Sequence, residues 1–143
     1  MNIRVRLVCA VAGFFVMYGC GLSAQTTKAV GLENTHWKLT WIPGTKIESV
    51  TPQRAPFIML DSTSQRMSGS DGCNRLMGGY ELEGDHLRFP GTARTMMACA
   101  QGMGTGDAFA KALDNVREWK VMGSTLSLMD ADGHALARFV ATQ

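Results

Sequence analysis

The residues able to do chemistry in this chain fall into four groups, and each has a competing structural reading. Ser70-Asp71, with His36, His86 and His134, offers the hydroxyl, carboxylate and imidazole parts of a nucleophilic triad. No Gly-x-Ser-x-Gly elbow surrounds Ser70, so a turn serine and surface histidines account better for these residues. The histidines each adjoin the start of an expected strand and have no ligand spacing between them, which argues against zinc. Met96, Met97, Cys99 and Met103 lie close in sequence, and thioether and thiolate ligands suit Cu(I). The preferred reading packs these methionines into a core or a barrel mouth and ties Cys99 into a disulfide. Asp130-Ala131-Asp132-Gly133 begins like a calcium loop but lacks the later ligands and the closing glutamate, so a hairpin turn is expected. None of these groups implies a catalytic residue, a metal or a cofactor.

The N-terminus sets the compartment. Met1 to Arg6 is short and basic, and Leu7 to Tyr18 is apolar, uncharged and too short to span a bilayer. This is the pattern of an export signal over 1–24, followed by a polar leader over 25–31 and one domain over 32–143. Leu22-Ser23-Ala24 fits a signal peptidase site, with Gln25 as the new N-terminus. The alternative is lipidation at Cys20, since Met17-Tyr18-Gly19-Cys20 partly fits a lipobox. Cys9 and Cys20 leave or are modified with the signal, so Cys73 and Cys99 remain and are expected to pair in an oxidising compartment. Arg4 and Arg6 leave too, and Lys+Arg falls from 14 to 12 against 12 Asp+Glu. A formally neutral domain without a basic stripe excludes nucleic acid as the expected partner. Membrane association is expected only through an N-terminal lipid anchor.

The elements that must position these residues are mostly short strands. Trp37, Leu39 and Trp41 alternate with Lys38 and Thr40, a period of two. Phe57 to Asp61 is an apolar run, and Tyr80-Glu81-Leu82 with Leu87-Arg88-Phe89 forms a hairpin around Glu83-Gly84-Asp85. Gly69-Ser70-Asp71-Gly72-Cys73-Asn74 reads as a tight turn, with Asp-Gly supplying the positive φ such turns need. Phe109, Ala112, Leu113 and Val116 lie at helical spacing, with Thr105 or Asp107 as the expected cap. Three further strands follow, around Trp119, Leu126 and Phe139. The fold class is mainly β: a small antiparallel barrel-like sheet of lipocalin-like topology with one amphipathic helix covering an end or edge.

Asn34-Thr35-His36-Trp37-Lys38-Leu39, Gly72-Cys73-Asn74, Gly79-Tyr80, Thr95-Met96-Met97-Ala98-Cys99, the Phe109–Leu113 helix and Leu126-Ser127-Leu128 together resemble the META domain, or HslJ-like, family. The resemblance spans roughly Leu32 to Val140 and rests on the ordered set, with Gly72, Cys73, Asn74, Thr95 and Cys99 as its motif. It implies a bacterial periplasmic or outer-membrane protein, often a lipoprotein, with no catalytic set and a link to heat stress and novobiocin tolerance. The expected function is therefore a non-enzymatic envelope binding or scaffold domain. The alternative is a soft-metal carrier or an enzyme whose site is not visible. An apolar ligand or an envelope protein is the expected partner, and the oligomeric state is not readable. Trp37, Trp41, Phe57 and Phe89 would line an apolar site if their faces all point inward; a barrel filled by its own side chains is the competing expectation.

Overall fold

The computed structural model describes residues 30–49, 51 and 54–142. The expected signal, the lipidation candidate Cys20 and the leader up to residue 29 lie outside the described residues. Ten strands and one helix follow in order: β1 (His36–Trp41), β2 (Phe57–Asp61), β3 (Arg66–Ser70), β4 (Arg75–Gly79), β5 (Glu81–Glu83), β6 (His86–Arg88), β7 (Ala93–Arg94), α1 (Met103–Asn115), β8 (Glu118–Met122), β9 (Thr125–Met129) and β10 (Ala135–Thr142). The strands form one antiparallel sheet in the order β5-β6-β8-β9-β10-β1-β2-β3-β4-β7, curled into a half-barrel. This is the mainly β, lipocalin-like architecture with a single helix that the alternating sequence predicts. The sheet runs from β5 at one end almost to β4 at the other, yet Tyr80 alone separates these two strands in the chain. The covalent backbone therefore ties the two ends of the curl together. Among the described residues no helix is long and apolar enough to cross a membrane.

The inner face takes every second residue. Ile58 and Leu60 of β2, Met67 of β3, Leu76 of β4, Leu126 and Leu128 of β9, and Ala137 and Phe139 of β10 are buried. Helix α1 lies over this face and plugs it with Phe109, Ala112 and Leu113, and Val116 follows just beyond its end. Phe109 meets Phe139 with ring centroids 5.8 Å apart. A contiguous cluster of the protein's own buried side chains occupies this inner face.

Two local details differ from the sequence reading. The helix begins at Met103, ahead of both expected caps, because Gly102 takes a left-handed φ of 85° and turns the chain into it. Thr105 is instead inside the first turn and 2 % exposed. Its hydroxyl accepts the Glu48 amide at 2.9 Å and donates to the Lys46 carbonyl at 3.1 Å, which fastens the 45–49 loop to the helix. Replacing Thr105 by valine keeps the shape and removes both bonds, so urea unfolding is expected to show a loss of about 1–2 kcal/mol. An unchanged midpoint would remove Thr105 from the account of that loop.

The second difference is in β1. Trp37 and Leu39 point inward as the alternation predicts. The pairing of β1 with β10 then slips by one residue between Leu39 and Trp41. A bulge of this kind reverses the faces beyond it. Trp41 turns outward, 36 % exposed, and Ile42 takes its place in the core. The Arg138 guanidinium sits over the Trp41 ring, 4.7 Å from its centroid.

Candidate functional site

The turn between β3 and β4 gathers the whole sequence motif. Gly72 has φ 96°, as Asp-Gly predicts. Cys73 and Cys99 are joined, with Cα atoms 6.0 Å apart. The Asn74 side-chain oxygen accepts the Met97 amide at 2.7 Å and the Thr95 hydroxyl at 3.2 Å. Thr95 in turn accepts the Arg75 amide at 3.0 Å. Gly72, Cys73, Asn74, Thr95 and Cys99 thus form one contiguous cluster that pins the segment after β7 against the β3–β4 turn.

Asp71 is the member of this cluster that sequence reasoning did not place. Its side chain is fully buried. One carboxylate oxygen accepts the amides of Cys73 and Asn74 at 2.8 and 2.5 Å. The other lies 3.6 Å from the Arg94 guanidinium, which also pairs with Asp107 of α1 at 2.9 Å. Helix α1 comes so close that a Cβ on Gly106 would meet that second oxygen at 2.7 Å. Asp-Gly-x-Asn was a visible turn signal; nothing in the sequence near Arg94 or Gly106 marked them as its partners. Asp71 is consumed by structure, and Ser70 Oγ accepts the Gly72 amide at 3.1 Å. Among the described residues no histidine hydrogen-bonds to either, so the triad parts are not assembled.

The four aromatic residues expected to share an apolar lining are split between two faces. Trp37 and Phe89 are buried in the core, and the Trp37 indole donates to the Leu32 carbonyl at 2.8 Å. Trp41 faces out for the reason given above. Phe57 also faces out, because Ile58 and Leu60 supply the inner face of β2, and its ring stacks on His36 at 4.2 Å. The run Pro56 to Leu60 is apolar throughout and carries no periodicity from which to choose the face.

Met96, Met97 and Met103, expected to pack a core or barrel mouth, are instead exposed, and with Met77 they collect beside the motif cluster. A groove of about 740 Å³ crosses the outer face of β2, β3 and β4, with Phe57, Met77 and Met97 among its walls. Met77 and Met97 are 44 % and 47 % exposed. A second depression of about 220 Å³ lies on the other side of Met97, lined by Met96, Met103, Arg94 and Asp107. Met97 is shared by both, and the Asn74 oxygen holds its amide. Three of the four soft-metal candidates meet here. Cys99 is removed from that set by its bond to Cys73, and a guanidinium occupies the same depression.

At the β9–β10 turn, ligating atoms of Asp130, Asp132 and His134 lie within 4.8 Å of one another. The Asp130 carboxylate already accepts the amides of His134 at 2.8 Å and Asp132 at 3.0 Å, the hairpin turn that was expected. The His134 amide is the main cause holding the Asp130 carboxyl below its ordinary value, with the Asp132 amide and the nearby His134 ring adding to it. A lowered folded value gives stability that is present above the unfolded pKa and lost as pH falls through the folded one. The stability gap between the protein and Asp130→Asn is therefore expected to close as pH drops below about 4. A gap independent of pH would show that the carboxylate charge is not what the turn uses. On the far side of the sheet, the Tyr80 hydroxyl bonds to Glu33 and to the Asp61 carbonyl. Burial first, and then the Glu33 carboxylate, push its pKa up.

With this geometry in view, comparison with known proteins is decisive for the family: the META domain model matches residues 30–143. The chain belongs to the META domain family. A solved structure of a protein from Burkholderia xenovorans is similar at 28 % identity, with a TM-score of 0.62 over 78 % of this chain and 84 % of that one. A second NMR structure is similar at 23 % identity and a TM-score of 0.59, covering 76 % of this chain and 91 % of that one. The crystal structure of a DUF4847 family protein from Bacteroides vulgatus shares the fold at 12 % identity, with a TM-score of 0.53 over 76 % and 93 % of the two chains. No curated protein matches the chain. In this META domain the motif residues build the disulfide cluster and, through Asn74, position Met97 between two surface depressions.

Proposed function

We propose that this META-domain protein is a non-enzymatic, exported binding domain of the bacterial envelope that works through its outer surface. One observation carries the reading: the inner face is occupied by a contiguous cluster of buried side chains, while half-exposed Met77 and Met97, the latter held by Asn74, wall a groove outside. Methionine is an adaptable lining for apolar partners, and the groove falls within the range of about 300–1,000 Å³ of small-molecule sites. A place in envelope-stress or novobiocin-type tolerance follows from the family resemblance, and increased sensitivity of a deletion strain tests it.

The molecular reading is tested by titrating the protein with the fluorescent apolar dye N-phenyl-1-naphthylamine. Saturable enhancement is expected, and Met77→Gln/Met97→Gln is expected to weaken it about tenfold with the unfolding midpoint preserved. Dye uptake that is absent, or untouched by that pair, overturns the exterior site. A soft-metal carrier is the second reading, favoured by Met96, Met97 and Met103 lining one depression. The Asp71 and Asp107 carboxylates that share the depression are already paired with Arg94 and so are not open ligands. Cu(I) retained through gel filtration, and lost on replacing the three methionines, would establish it.

A further inference from the structure

The groove beside the disulfide carries charge of one sign. Its lining includes Arg54 and Arg75 and no carboxylate. Both arginines are exposed, and among the described residues neither forms an ion pair. Arg88 and Arg94, by contrast, have carboxylate partners, Glu81 for the first and Asp71 and Asp107 for the second. Arg66 and Arg138 have none among the described residues but do not line the groove. Residues 25–143 are formally neutral, so this is a local excess and not a property of the whole surface.

Strand register places the charge beside the apolar wall. Phe57, Ser70 and Arg75 face one another in a row across β2, β3 and β4, and Met59, Ser68 and Met77 form the next row. Met97 closes the groove from the disulfide-held segment. An apolar strip is thus flanked by two unneutralised guanidinium groups. A neutral apolar ligand would leave both without a partner, and a cationic one would be repelled. A guanidinium instead recognises carboxylate or phosphate oxygens through paired N–H donors.

Resting on the exterior-site reading above, we infer that the groove takes one molecule of an anionic single-chain amphiphile. Its hydrocarbon lies on Phe57, Met77 and Met97, and its anionic oxygen headgroup is held by Arg54 and Arg75.

The test is a titration of the ¹⁵N-labelled protein with decanoate, decanol and decyltrimethylammonium, each below its micelle concentration. Decanoate is expected to shift the amides of Gly69, Ser70, Arg75 and Met97 saturably and to bind about tenfold more tightly than decanol, with decyltrimethylammonium weakest. Arg54→Glu/Arg75→Glu is expected to reverse that order while the unfolding midpoint holds. Equal affinity for all three chains would overturn the charge inference and leave the exterior site standing. No saturable shift with any of them would overturn both. Binding to phosphatidylglycerol vesicles without binding of monomeric decanoate would assign the face to a membrane surface, and the single-molecule site would fall.

Discussion

Replacing Asp71 by alanine lowers the free energy of unfolding by about 2–4 kcal/mol in urea denaturation. The carboxylate is wholly buried and accepts the Cys73 and Asn74 amides, so alanine leaves two buried donors without a partner. It also leaves Arg94 with only the largely exposed Asp107. Asparagine keeps one acceptor oxygen in the same place and is expected to lose clearly less. The neighbouring glycine supplies a second, independent check. Alanine at 106 would press its Cβ against a carboxylate that its hydrogen bonds hold still. Gly106→Ala should therefore destabilise the protein, and much of that cost should vanish once Asp71 is already alanine. Strong non-additivity of this kind is the signature of direct contact. An Asp71→Ala protein within about 0.5 kcal/mol of the parent would mean that the turn is held by something else.

Removing the disulfide is the other large effect. Cys73 and Cys99 are 26 residues apart, and closing a loop of that size contributes about 3–4 kcal/mol in the chain-entropy description. Cys73→Ser/Cys99→Ser should lose that amount, and reductant should bring the parent down to the same level. The consequence is expected to be uneven across the molecule. The segment 95–99 is otherwise tied down by Thr95 and by the single bond from the Met97 amide to Asn74. Amide exchange should accelerate there and in the β3–β4 turn, with little change in β8, β9 and β10. Identical unfolding with and without reductant, or two free thiols in the unfolded, unreduced protein, would sink this prediction.

Alternation made much of the sheet legible. Leu87 and Phe89 of the hairpin, and Phe109, Ala112 and Leu113 of the helix, are buried where their spacing placed them. Cys73 and Cys99 were readable because the expectation of an export signal set Cys9 and Cys20 aside and left these two only each other. What escaped had a physical reason each time. Trp41 alternates correctly on paper, but a one-residue slip in pairing is decided by β10, almost a hundred residues away. Phe57 sits in a run apolar on both faces, where period carries no information. Asp71 was visible as a turn residue and invisible as the partner of Arg94 and Gly106, because nothing local specifies a contact between a turn, a two-residue edge strand and a helix. The groove was unreadable for the same reason: its walls come from β2, β4 and the 95–97 segment, which only the fold brings together.

The place of β1 in the sheet has a kinetic consequence. Its neighbours are β2 and β10, and His36 stands opposite Thr142, so the first strand of the domain is completed by the last. Until residues 135–142 have been made, Trp37 and Leu39 have a partner strand on one side only and the curl cannot close. Such non-local pairing is slow, on the order of milliseconds to seconds, because the loop entropy is lost before the contacts return it. A growing chain of this design gains little by folding piecemeal from its N-terminus. It stays pliable, and able to be threaded, until its final strand is free.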